Sequence, residues 1–236
     1  RRRPRIAYTA TGDEVIMPGD PLGPDQIISS NSVALGAYIE TLGGAPLNLG
    51  IAHDDEASLR RMFEGARGAD LLITIGGASV GDYDFVRKVL GDEGMDLGFY
   101  KVAMRPGKPL IFGRLGDVPV LGLPGNPVSA GVTSAIFLKA AMAVMLGLDD
   151  HDAAPATALL GRDLEANDFR QDYLRAVLST DADGNLVATP FERQDSAMME
   201  RLAKADCLVV RPPEAPAAKK GERVEIVMLG ASIVAF

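Results

Sequence analysis

The chain has 236 residues, 47% apolar and 24% charged, which suits a globular protein of one large domain or two modest ones. Its net charge of −8 is evenly spread, with 14 basic against 18 acidic side chains in residues 1–150 and 10 against 14 beyond. That balance argues against a nucleic-acid binder driven by phosphate neutralisation. In chain order, residues 5–10 read as a strand ended by Thr11-Gly12. Asn31 is placed to cap a helix over 31–42, where Leu35, Tyr38, Ile39 and Leu42 form one apolar stripe and Gly43 stops it. Residues 47–52 read as a second strand, and Leu59, Met62, Phe63 and Ala66 mark an amphipathic helix after it. The apolar run 70–75 reads as a strand covered on both faces. A helix around 83–91, strands at 100–103, 110–112 and 118–121, and a long helix from Pro127 follow. Strands alternating with helices at this spacing predict a doubly wound, mostly parallel α/β sheet.

Residues 128–148 are apolar enough to raise the question of a membrane span. Lys139, Ser129, Thr133 and Ser134 lie inside the stretch and no aromatic or basic flank marks an interface, so a buried core helix is expected and no membrane partner. No signal peptide is visible, and the absence of an initial methionine suggests that the true N-terminus lies upstream. Residues 149–155 are polar and breaker-rich, as a linker would be. Strands are expected beyond it at 157–165, 172–180, 186–190, 207–211 and 223–229, with Asp181-Ala182-Asp183-Gly184 as a hairpin turn and one helix over 196–205. The organisation is thus an α/β domain over 1–148, a linker over 149–155 and a small, mainly-β domain over 156–236.

Cys207 is the sole cysteine, which rules out an intrachain disulfide and fits a reducing, cytoplasmic compartment. Its apolar neighbours suggest a buried structural thiol. Two isolated histidines, His53 and His151, leave no soft-ligand metal site, so any metal should be a hard cation held by oxygens.

Four loaded loops follow four of the expected strands: Asp13-Glu14, Asp54-Asp55, Gly76 through Asp84, and Pro124-Gly125-Asn126-Pro127. In a parallel sheet such loops emerge at the strands' carboxyl edge, where ligands bind. Glycines at 76, 77 and 81 with Ser79 allow backbone N–H groups to approach a phosphate ahead of a helix N-terminus. Asp82 or Asp84 can equally cap that helix. Either aspartate of Asp54-Asp55 can cap the helix near Glu56, leaving the other for a metal or a hydroxyl. Asp13-Glu14 has no such duty. Between Asp96 and Asp117 no carboxylate occurs, yet Lys101, Arg105, Lys108 and Arg114 do. That pattern fits either an oxyanion site stiffened by Pro106, Gly107 and Pro109 or a solvated basic strand end. Carboxylates from separate loops beside a phosphate cradle are what a Mg²⁺-phosphate site needs.

Ala10-Thr11-Gly12-Asp13-Glu14, Gly50 through Asp55, Gly76 through Gly81 with Asp84, Arg105-Pro106-Gly107-Lys108-Pro109 and Gly122 through Pro127 together resemble the molybdopterin molybdenumtransferase family, which includes the E domain of gephyrin. Tyr173-Leu174-Arg175, Gln194-Asp195-Ser196 and Gly221-Glu222-Arg223-Val224 resemble its C-terminal β-domain more loosely. The resemblance implies that residues 1–148 bind molybdopterin, and that molybdate is inserted into adenylylated molybdopterin with release of AMP. It implies Glu14, Asp54 and Asp84 as holders of Mg²⁺, and Thr11, Gly12, Asp13, Gly76, Gly77, Ser79 and Gly81 as contacts to the substrate. Lys101, Arg105 and Lys108, with Pro124, Gly125, Asn126 and Pro127, would hold molybdate, joined by Arg175 and Ser196 from the tail.

Arg105 departs from the lysine common in the family. Members also carry two further domains before the segment that starts here, and complete their site across a homodimer. Arg1-Arg2-Arg3-Pro4 therefore reads as a joint to absent domains, and the chain as a fragment with part of a site. Two alternatives remain: a molybdopterin adenylyltransferase, whose stand-alone relatives lack the β tail, and a non-catalytic scaffold or molybdopterin-binding module.

Overall fold

The computed structural model describes residues 1–76, 89, 91–92, 94–148, 155–196 and 198–229. The helix expected around 83–91 and all of the expected linker but Pro155 fall largely outside them. Two compact units emerge: Arg1–Val102 with Pro109–Asp149, and Ala103–Lys108 with Asp150–Phe236. The six residues Ala103–Lys108, placed in the first domain by chain position, group with the second unit.

The first unit is built on a six-stranded sheet. Its strands are β1 (Arg5–Thr11), β4 (Ala45–Ala52), β5 (Leu71–Ile75), β6 (Met95–Tyr100), β8 (Ile111–Leu115) and β9 (Val118–Leu123), in the spatial order β4-β1-β5-β9-β8-β6. The first four neighbours run parallel, and β8 and β6 add antiparallel at one side. Every residue of β5 is buried, as a strand covered on both faces requires. Successive strand residues point to opposite faces, and β1 shows the result. Ala7 joins a core cluster with Leu59 and Phe63 of α2 (Glu56–Gly65). Tyr8 points the other way, its hydroxyl against Gly36 of α1 (Ser30–Thr41). The sheet is therefore covered on both sides.

Helix α3 (Pro127–Leu146) is long and apolar enough to cross a membrane by composition, with half of its most apolar window buried. It packs against α1 and β9 and contains a π-helical turn, Ser134–Leu138. A two-stranded ribbon, β2 (Val15–Ile16) with β3 (Ile27–Ile28), leads from β1 to α1.

Two local expectations changed. Asn31 lies inside α1 rather than capping it; Ser29 is the N-cap residue. The helix ends at Gly43 as expected, with a φ of 82° that favours glycine. The strand expected at 100–103 instead spans Met95–Tyr100 and stops where Lys101 takes a φ of 64°. Asp96 and Gly98 weaken the strand signal there, and β6 survives as an outer strand paired with β8.

The second unit is a closed barrel of β10 (Ala156–Leu160), β11 (Gln171–Thr180), β12 (Leu186–Pro190), β13 (Cys207–Arg211) and β14 (Arg223–Met228). The spatial order β12-β10-β14-β13-β11 closes because β11 also pairs with β12. Ala158, Leu160, Ala176, Ala188, Cys207, Val209 and Ile226 fill its core. The hairpin expected at Asp181–Gly184 joins β11 to β12, with Asp181 Oδ1 accepting from the Asn185 N–H at 2.8 Å. The helix expected over 196–205 is shorter, α4 (Met199–Ala203). A short strand, β7 (Met104–Arg105), pairs in parallel with the start of β11.

Candidate substrate pocket and the buried arginine

The four loaded loops follow β1, β4, β5 and β9, which are adjacent parallel strands. Their carboxyl ends therefore share one edge. A pocket of about 380 Å³ opens there, lined by Thr11, Glu14, Gly76 and Pro124 through Pro127. Sequence reasoning missed part of its wall: Ser29, Ser30 and Asn31 from the start of α1 also line it.

Thr11 ends the inner strand β1 and is 3% exposed, and its Oγ1 has no hydrogen-bond partner among the described residues. Gly76 takes a φ of +98°, and a Cβ there would lie 2.8 Å from the Thr11 carbonyl oxygen and 3.2 Å from Oγ1. Only a glycine leaves that space open. Gly12 holds a φ of +130°, and a Cβ on it would meet the Glu14 carboxylate at 2.6 Å. Glu14 thus folds back over the loop while lining the pocket.

Asp13 is engaged elsewhere. Its Oδ1 accepts from His53 Nδ1 at 3.1 Å and from the Asp54 N–H at 3.3 Å, joining the loops after β1 and β4. Of the Asp54-Asp55 pair, Asp55 caps α2, its Oδ1 accepting from the Ser58 N–H at 2.7 Å. Gly77, Ser79, Gly81 and Asp84 lie outside the described residues.

At the fourth loop, Pro127 occupies the first turn of α3 and Asn126 is its N-cap residue, without a side-chain cap hydrogen bond. Asn31 Nδ2 donates to the Gly125 carbonyl at 2.6 Å, tying this turn to α1. Among the expected cations, Lys101 in the same unit sets its ammonium 4.5 Å from the centre of the Tyr100 ring.

Arg105 and Lys108 belong to the barrel unit. The Arg105 guanidinium pairs with Asp172 and, at 3.3 Å, with Asp168, fastening β7 beside β11. Its charge is already matched there by carboxylates. The Arg170 side chain, then its backbone N–H, lowers the Asp168 pKa to about 2.

Arg175 is the unexpected group of the barrel. Leu174 and Leu178, two positions either side of Ala176 in β11, pack with the interior core, so Arg175 points outward. It is nevertheless fully buried. The segment after β12 covers it: Gln194 accepts from the Arg175 N–H and donates to its carbonyl, both at 3.0 Å. The guanidinium gives one hydrogen bond, Nη2 to the Asp195 carbonyl at 3.1 Å. Nε and Nη1 have no partner among the described residues. Burial, and secondarily Arg201, pull its pKa down, while Asp195 opposes them. Ser196 follows in the same covering segment. Cys207, inside the barrel, is buried, which pushes its thiol up to about 12.

Residues 7–143, more than half the chain, match the family described as "Probable molybdopterin binding domain". The chain belongs to this family. Residues 157–229 match the "MoeA C-terminal region (domain IV)". A molybdopterin molybdenumtransferase of Haemophilus influenzae is 33% identical over 95% of this chain and 56% of its own length. Molybdopterin molybdenumtransferase 2 of Mycobacterium tuberculosis is 34% identical over 95% and 56%. The crystal structure of a molybdopterin biosynthesis MoeA protein from Pyrococcus horikosii superposes with a TM-score of 0.81 at 29% identity, covering 97% of this chain and 55% of that one. The chain spans about half the length of the curated relatives it matches.

Proposed function

We propose that the protein inserts molybdate into adenylylated molybdopterin with release of AMP, and that this chain supplies its pterin-phosphate pocket. The observation that carries the reading is Thr11, which lines the pocket at the carboxyl edge of four parallel strands and whose buried hydroxyl has no partner among the described residues. A buried hydroxyl without a partner is costly, and a phosphate oxygen arriving there would accept its proton. N–H groups in the first turn of α3 point the same way and favour negative charge. Gly76 keeps the backbone close enough for contact, and Gly12, Gly77, Ser79 and Gly81 are assigned to the same phosphate from the sequence.

A divalent cation such as Mg²⁺ fits the donors present. Glu14 and Asp54 follow the adjacent strands β1 and β4 and carry hard oxygens, and Asp84 is assigned to the same ion from the sequence. Mg²⁺ typically takes one or two protein carboxylates and completes its shell with water and substrate phosphates. When bound, the ion would neutralise diphosphate charge. The protein's own part is to orient it: Asp13 holds the Asp54 backbone, and Asp55 fixes the start of the following helix.

Molybdate, as substrate, needs donors without acceptors. Lys101 and the Pro124–Pro127 turn are assigned to it in the α/β unit, and Lys108, Arg175 and Ser196 in the barrel unit. Arg175 is the best supported, because two of its buried guanidinium nitrogens lack partners among the described residues. Arg105 is assigned a supporting role through Asp168 and Asp172. The reading extends to a cytoplasmic homodimer whose second copy completes the site.

The test is to incubate the full-length protein with adenylylated molybdopterin, molybdate and Mg²⁺ and to measure AMP. Release is expected; its absence refutes the transferase reading. Wild-type turnover in both Asp54→Asn and Asp84→Asn would refute the assignment of the cation.

A further inference from the structure

We infer that the first turn of α1 is a second wall of the anion pocket, and that Asn31 is the positioning residue that holds the Pro124–Pro127 turn against it. This rests on the reading of the pocket as an oxyanion site. Helix α1 has 12 residues, no acidic residue in its first turn and no side-chain cap hydrogen bond from Ser29. The Ser29 Oγ lies instead 2.7 Å from the Ser32 Oγ. Helix α3 starts in the same way, with no acidic residue in its first turn and no side-chain cap bond. Ser29, Ser30 and Asn31 from one helix and Asn126, Pro127 and Ser129 from the other line one cavity.

An uncompensated helix N-terminus carries roughly half a positive charge. Two of them facing one cavity approach a full charge, supplied by main chain alone. Among the described residues of the lining Glu14 is the one charged side chain, so main chain is the positive source there. The independent pointer to a ligand is Thr11, which lines the same cavity and whose buried Oγ1 has no partner among the described residues. Asn31 Nδ2 reaches the Gly125 carbonyl at 2.6 Å, so one amide ties the first turn of α1 to the turn that starts α3. The ligand class is a compact oxyanion, a phosphate or the phosphate of a nucleotide.

The test titrates inorganic phosphate and AMP, with Mg²⁺, into the wild-type protein and three variants by calorimetry, with urea unfolding alongside. Thr11→Val probes the pocket reading, Asn31→Leu removes the donor to Gly125, and Asn31→Asp places a carboxylate at the first turn. Asn31→Leu and Asn31→Asp are each expected to bind at least about tenfold more weakly. Asn31→Asp should unfold no earlier than wild type, because an acid suits a helix N-terminus. Loss of affinity without loss of stability is an outcome that a merely structural asparagine does not produce. If Thr11→Val weakens binding while both Asn31 variants bind like wild type, the inference is overturned and the pocket reading stands. If wild type binds neither probe, the pocket reading fails and the inference falls with it.

Discussion

Replacing Arg175 by methionine should stabilise the barrel while impairing the protein. The guanidinium is fully buried and gives one hydrogen bond, to a carbonyl, with Nε and Nη1 unpartnered among the described residues. Leaving a buried donor unsatisfied costs about 1–3 kcal/mol. Replacing a poorly matched buried charge by an apolar group of similar volume gains about 1–4 kcal/mol. The usual objection is that removing one partner strands a buried opposite charge. It does not apply here, because the nearby Asp195 side chain belongs to an exposed residue. The flexible methionine stem can follow the path of the arginine stem. An increase of about 1–4 kcal/mol is therefore expected.

Cys207 makes the assay local to the barrel. It is the sole cysteine and lies in the barrel core, with its thiol pushed up to about 12 by burial. Its labelling by a thiol reagent across a urea titration reports opening of that unit rather than of the whole chain. Arg175→Met should shift the labelling midpoint to higher urea and lower AMP release by the full-length protein. A loss of about 2 kcal/mol or more would refute the reasoning, since it would mean that the arginine is well satisfied in the fold. Restored release in Arg175→Lys without the stability gain would support a charge kept for a ligand.

Two further outcomes are expected. Gly76→Ala should cost about 1–3 kcal/mol, because it combines a φ of +98° with a Cβ 2.8 Å from the Thr11 carbonyl; thermal unfolding within the error of wild type would contradict that geometry. The carboxyl of Asp168 moves from its ordinary 3.8 to about 2 through Arg170. The unfolded chain therefore takes up that proton first, and stability is lost as pH falls from about 3.8 toward 2. Asp168→Asn should flatten that acid limb in a pH series of urea midpoints, and an unchanged limb would exclude the Arg170–Asp168 contact as its source.

The parallel half of the sheet was legible because it rests on local signals. Residues 71–75 form a continuous apolar run, and the loaded loops after β1, β4, β5 and β9 follow from chain order plus the rule that parallel strands share an edge. Asp54-Asp55 was half legible: one aspartate had to cap α2, and only the Ser58 contact decides that it is Asp55. Asn31 was misread as a cap, since an asparagine before an apolar stripe signals a helix start. Its actual partner, Gly125, lies 94 residues away. Strand β6 was displaced because an outer antiparallel strand with one partner tolerates Asp96 and Gly98.

Sequence alone determined the α/β character, the carboxyl-edge loops, the β-rich tail and the family resemblance, because periodicity, turn chemistry and ordered motifs are properties of neighbouring residues. Tertiary structure decided what depends on distant pairs. The barrel closes only when β12 pairs in parallel with β10, setting Leu159 beside Val187. Ala103–Lys108 joins the barrel through pairing with β11. Arg175 becomes buried only when the segment carrying Gln194 and Asp195 folds over it. Asn31 in the first turn of α1 meets the turn ahead of α3 through a bond to Gly125, 94 residues away. Each of these contacts closes a loop whose entropic cost grows slowly with length, so no local pattern in the chain announces it.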